Sequence, residues 1–191
     1  MKRIFVLATL LLAGCSSAPE PVVSQYLLPQ LKIQASQVTD SSMTERPLLV
    51  VRPVELASYL SNNGIVYRTS ETQIIQAKHN QWAENLSDQI TQRVVANLRQ
   101  SQARYWPVEV NNLLDQSNQS KLQLTLDHFN GSYRGNAEIS GEWQLIDPNG
   151  NVKKRADVQL SMPLQDEGYD ALVEALSNGL ETLTDDIAQQ L

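Results

Sequence analysis

The sequence predicts an α+β fold, a two-layer sandwich in which a mainly antiparallel sheet carries two long amphipathic helices packed on one face. Two observations carry that expectation. Between residues 122 and 164, three stretches alternate apolar with polar side chains, the period of a half-buried strand. After Trp82, and again from Tyr169, apolar residues recur every third or fourth position, the period of a helix with one buried stripe. A sheet with one apolar face and helices with one apolar stripe each satisfy one another by packing together.

The chain opens with Lys2 and Arg3, then an uncharged run from Ile4 to Ala13 that is too short to cross a bilayer, which takes about 20 apolar residues. The run ends at Leu12-Ala13-Gly14-Cys15, which resembles a bacterial lipobox and contains the sole cysteine. That resemblance implies a signal peptide at 1–14, cleavage between Gly14 and Cys15, and acylation of Cys15, palmitate included. An ordinary secretory signal with an incidental cysteine is the competing reading. Several acyl chains, at about 0.8 kcal/mol per buried methylene, make a lasting anchor. Ser16 after the cysteine implies, by the same resemblance, sorting to the outer membrane.

Removing 14 of 191 residues leaves 177, enough for one domain with a proper core. Of 15 basic and 21 acidic residues the signal takes two basic ones, so the remainder carries 13 against 21, or −8. Such a body repels phosphate backbones, and nucleic acid is not an expected partner. With Cys15 acylated there is no thiol for a disulfide, a nucleophile or a metal site. No cofactor is expected beyond the covalent lipid.

Residues 15–25, rich in Ser, Pro and Glu, read as the acylated N-terminus and tether, and 26–191 as a single domain with a polar loop at 32–46. Tyr26-Leu27-Leu28 suits an edge strand. Leu48 to Val51, four apolar residues after Pro47, suits a strand covered on both faces. The turn chemistry of Ser61-Asn62-Asn63-Gly64 opens a hairpin, with strands at Ile65 to Tyr67 and Thr72 to Ala77. Leu86, Ile90, Val94 and Leu98 define a helix of about 17 residues, with Asn85 and Asp88 placed as a helix start. Tyr105 to Val110 is extended. Leu122, Leu124 and Leu126 mark one strand, Tyr133 to Leu145 a second, and Val158, Leu160, Met162 and Leu164 a third after the turn at Asp147 to Gly150. The last helix carries Tyr169, Leu172, Leu176, Leu180, Leu183 and Ile187, with Asp166 available as its cap.

Little here suggests catalysis. His79 and His128 lack a second ligand at helical spacing, so no metal site is expected. Asp127, His128 and Ser132 or Ser140 could be drawn as a triad, but adjacent strand residues point to opposite faces and no nucleophile elbow is present. Glu138 and Glu142 stand about 13 Å apart at 3.3 Å per residue, wider than a glycosidase pair. Gly131 and Gly135 mark a turn or bulge rather than a phosphate loop. Lys153-Lys154-Arg155 either guards a strand edge or meets anionic headgroups. Trp82, Trp106 and Trp143 are read as core.

One pattern remains. Tyr59-Leu60, Asn63-Gly64-Ile65-Val66-Tyr67, Thr69-Ser70, Asn80, Trp82-Ala83 and Leu86 come first, followed by Phe129-Asn130-Gly131-x-Tyr133-x-Gly135, Ser140-Gly141-Glu142-Trp143-x-Leu145 and Gly168-Tyr169-Asp170. In this order and spacing they resemble the auxiliary lipoproteins of ABC-type transport systems, in their Pqi-type branch. The resemblance implies a non-enzymatic outer-membrane lipoprotein facing the periplasm. It also implies a docking role for the tube of a PqiB-like MCE protein, a PqiA-like membrane protein in the same system, a homo-oligomeric ring, and a part in lipid transport and membrane integrity. A free-standing lipid-binding lipoprotein is the alternative. Tyr59, Tyr67, Phe129 and Tyr133 are the candidate partner contacts, since they offer aromatics where loops would be exposed; the same residues could equally shape turns and fill the core.

Overall fold

A computed structural model describes residues 22–29 and 46–191. The lipobox from Leu12 to Cys15, the tether up to residue 21 and the polar loop as far as residue 45 lie outside the described residues.

The α+β sandwich is present, built on a mixed sheet of nine strands. Its organising element is β7 (Ser120–Ser132). Leu122, Leu124 and Leu126 point into the core, and a register shift between Leu126 and His128 inserts one extra residue, Asp127, after which Phe129, Asn130, Gly131 and Ser132 are all buried. On one flank β7 pairs antiparallel with β8 (Asn136–Ile146), which pairs antiparallel with β9 (Val152–Pro163). The expected three-strand meander is therefore correct, with one adjustment. Tyr133 does not begin β8 but sits in the tight turn that precedes it.

The other flank of β7 is met by three short segments: β2 (Leu48–Val51), β3 (Glu55–Leu56) and β4 (Gly64–Arg68). All three run parallel to β7. β2 also pairs in parallel with β6 (Trp106–Glu109), and its successive Leu49, Val50 and Val51 are all buried, so both faces are covered as its apolar run predicts. The hairpin partner of β4 is β5 (Ile74–Trp82), which begins two residues later and runs five residues further than the expected strand, and β1 (Ser24–Tyr26) lies parallel along its last three residues. Antiparallel ladders hold most of the paired residues, yet five of the eight strand pairings are parallel.

Helix α1 (Leu86–Ser101) begins where the sequence places it, with the Asn85 side chain accepting from the Asp88 amide at 3.3 Å. A single turn, α2 (Asn112–Asp115), precedes β7. Helix α3 (Tyr169–Gln190) buries Leu172, Leu176, Leu180, Leu183 and Ile187, each worth roughly 1.5–3 kcal/mol of transfer free energy. Asp166 is not its cap: Gly168, at φ 99°, occupies that position in a conformation that a residue with a Cβ resists, and the Asp166 carboxylate accepts from Glu167 instead. The two long helices lie side by side over the sheet, joined by Asn97 donating to the Thr184 hydroxyl at 2.9 Å. Trp82 and Trp143 are core, but Trp106 is not. It is half-buried, with the Arg46 and Arg99 guanidinium groups 5.3 and 5.2 Å from its ring.

Candidate functional site

Three turns meet at the end of the sheet where β7 finishes. They are the tip of the β4–β5 hairpin around Glu71, the β7–β8 turn at Tyr133 to Gly135, and the loop from Leu164 to Gly168 that leads into α3. Backbone bonds tie them: the Tyr133 amide donates to Arg68 at 2.9 Å and the Leu164 amide to Gly135 at 3.2 Å. Charge ties them again. Glu71 accepts from the Tyr133 hydroxyl at 2.6 Å and pairs with Arg134, while Arg68 reaches Glu138 at 2.9 Å and Glu71 at 3.4 Å. The Tyr133 hydroxyl and the Arg134 guanidinium hold the Glu71 carboxyl below the usual carboxylate range.

Beneath these turns lies a cleft of about 630 Å³, with Tyr67, Ile75, Leu164, Tyr169 and Leu172 as its apolar walls and Asp166 and Glu167 at its lip. Tyr67 can lie flat here because residue 131 is glycine: a Cβ there would stand 2.5 Å from the Tyr67 ring and 2.9 Å from Leu172. At its mouth Ile75 is 49% exposed, and nearby Ile74 and Tyr133 are 42% and 43% exposed.

Of the four residues expected to contact a partner, the structure brings Tyr67 and Tyr133 to this end. Phe129 is a correction. At 1% exposure, with its ring 6.4 Å from that of Trp82, it is a core residue and presents no surface. Tyr59 is half-buried on a 3-10 turn at Ser58–Leu60, its hydroxyl donating to the Asp127 carbonyl at 2.6 Å and the Asn130 side chain at 3.2 Å. Burial pushes its pKa up to about 12. The sequence reading missed Ile74, Ile75, Leu164 and Tyr169 as residues that shape this end, and Leu172 as the buried floor beside Tyr67. Two adjacent isoleucines in a hairpin were the available signal, since alternation can bury only one of them.

Residues 26–188 match the family described as the ABC-type transport auxiliary lipoprotein component. The chain belongs to that family. Two curated relatives, from Escherichia coli strain K12 and Shigella flexneri, carry the description intermembrane transport lipoprotein PqiC. Each is 36% identical over 190 residues, covering 100% of this chain and 97% of the relative. A crystal structure of an uncharacterized protein shares 30% identity, covers 88% of this chain and 98% of its own, and superposes with a TM-score of 0.73. A protein from Xanthomonas campestris, 17% identical with a TM-score of 0.66 and covering 89% and 90% of the two chains, shares the fold.

In this auxiliary lipoprotein the drawn triad resolves into a pair. His128 Nδ1 lies 2.7 Å from the Ser140 hydroxyl across β7 and β8, one of the two serine pairings that the drawn triad allowed. Asp127 is exposed on the bulge and Ser132 is fully buried, so neither joins them. His128 also meets the Tyr59 ring edge to face, at 6.5 Å between centroids. Glu138 and Glu142 each take an arginine, Arg68 and Arg155, the latter at 2.6 Å. Among the described residues no cluster of three metal-ligating side chains occurs, and no helix is long and apolar enough to cross a membrane.

Proposed function

We propose that this auxiliary lipoprotein is the outer-membrane subunit of a Pqi-type intermembrane lipid transport system. Acyl chains on Cys15 hold it at the outer membrane facing the periplasm. The folded body docks the end of the tube formed by a PqiB-like MCE protein, several copies acting as a ring, with a PqiA-like membrane protein completing the system. The body works by binding and not by catalysis. The observation that carries this reading is the likeness to the PqiC lipoproteins along the full length of the chain, at 36% identity.

The test is capture of the full acylated chain, in detergent, by the periplasmic part of the PqiB-like protein, with the mass of the eluted complex measured. A complex holding several copies of the chain is the expected result. A chain that stays monomeric and unbound overturns the docking role. Cys15→Ala separately checks the anchor, which is wrong if that variant partitions with membranes as firmly as the native chain. The cleft also favours a second reading, a lipid carrier in its own right; acyl lipid retained by the purified protein, and lost in Leu172→Glu, would support it.

A further inference from the structure

We infer that the end of the sheet bearing Ile74, Ile75 and Tyr133 rests on the lipid surface that holds the anchor, so that the cleft of Tyr67, Leu164 and Tyr169 opens toward the bilayer. This rests on the reading of Cys15 as an acylated anchor. The direction of the chain carries the inference. β1 runs parallel to β5 with Ser24 beside Asn80, so the residues before Ser24 head along β5 toward Ile75 and Ile74, toward this end and away from the other. Val22 and Val23, the first two described residues, are both exposed.

Length decides the rest. Only seven residue steps separate Val22 from Cys15, at most about 25 Å of chain at 3.3–3.6 Å each. The body is longer than that: β7 alone, at 13 residues, spans about 40 Å. An anchor this short, attached on this side, brings the hairpin tip and the Tyr133 turn to the bilayer before the far end, where α2 and the β8–β9 turn lie. What meets the bilayer is suited to it. Isoleucines beside a tyrosine match the mixed polarity of a membrane interface, where aromatic rings settle at the headgroups. At the far end the exposed large apolar residues, Leu113 and Val152, stand on separate elements.

Charge selects the lipid. At the tip Arg68 and Arg134 are occupied by Glu138 and Glu71, and Asp166 and Glu167 stand at the lip, so the surface is not basic and suits zwitterionic headgroups. Lys153, Lys154 and Arg155 lie near the start of β9, at the far end.

Acylation uses the sole cysteine, so an introduced one is a unique site for a dye. Full-length acylated Ile74→Cys and Leu113→Cys, with exposed Thr72→Cys as a second tip variant, would be labelled with an environment-sensitive fluorophore. The vesicles would be phosphatidylethanolamine and phosphatidylcholine, with and without lipid carrying a spin-label quencher. We expect quenching at residues 72 and 74 several-fold stronger than at 113, and no gain when phosphatidylglycerol replaces a third of the lipid. A chain that floats with the vesicles but is quenched no better at 72 and 74 than at 113 overturns this inference alone. A chain that does not float overturns the anchor reading and this inference with it.

Discussion

The two flanks of β7 contrast sharply. On one, β8 follows it for eleven paired positions from a single tight turn, and β9 repeats the arrangement. On the other, β2, β3 and β4 share seven paired positions among three segments, each arriving in parallel after an excursion. Antiparallel neighbours need only a turn, whereas a parallel neighbour must be brought back by the chain between. A broken flank leaves backbone groups unpaired at its gaps, and side chains satisfy them. The Val54 amide donates to the Thr91 hydroxyl of α1 at 2.9 Å, and the Gln123 side chain reaches Pro53 at 3.4 Å. Tyr59 closes the second gap by bonding the bulge at Asp127. Both flanks feed the core, Ile139, Trp143 and Leu145 from the continuous one and Leu49, Val51, Ile65 and Val66 from the broken one, but only the broken one reaches β7's end in a hairpin that helps build the cleft.

That contrast can be attacked from either side. Trp143→Ala, on the continuous flank, should cost about 3–5 kcal/mol of unfolding free energy because it empties a fully buried site; a loss below 1 kcal/mol in a denaturant titration would mean that the meander is not the centre of stability. Gly131→Ala should cost about 1–3 kcal/mol, since Tyr67 or Leu172 must move. Protection of the β4–β5 hairpin amides in hydrogen exchange should fall more than that of β8 and β9, and equal losses would contradict the separateness of the flanks.

Tyr59→Phe should cost about 1 kcal/mol through its lost hydroxyl bonds. It should also change the pH response. Because the folded-state pKa is raised to about 12 from 10, the neutral form favours folding: the contribution is full below pH 10 and is lost as pH climbs from 10 to 12. Denaturation midpoints between pH 8 and 12 should therefore fall more steeply in the native protein than in the variant. Asn85→Ala should remove about 1 kcal/mol, the worth of the cap that starts α1. Arg155→Ala should shift stability by less than about 1 kcal/mol, as an exposed pair with Glu142 contributes little. Its effect belongs to solubility, because Lys153, Lys154 and Arg155 guard the outer edge of β9.

The sequence by itself determined whatever depends on near neighbours. The meander, both long helices, the Asn85 cap, the turn at Asp147 and the β4–β5 hairpin follow from period, turn chemistry and capping, which act over a few residues. The family was legible too, because motifs along the whole chain keep their order. Only the tertiary structure decided that Phe129 lies in the core and Tyr133 on the surface: one inserted residue, Asp127, turns Phe129 onto the core face through a bulge that answers to the pairing with Gly141 and Ser140, while β7 ends at Ser132 and leaves Tyr133 in the exposed turn. It alone decided that His128 meets Ser140, that Trp106 sits between two arginines, and that Tyr67, Ile75, Leu164 and Tyr169 share one cleft. These residues are drawn from four separate elements and loops, and no local period links them. Parallel register and the meeting of distant turns are set by the packing of the whole core, where each contact is favourable only once the others are in place.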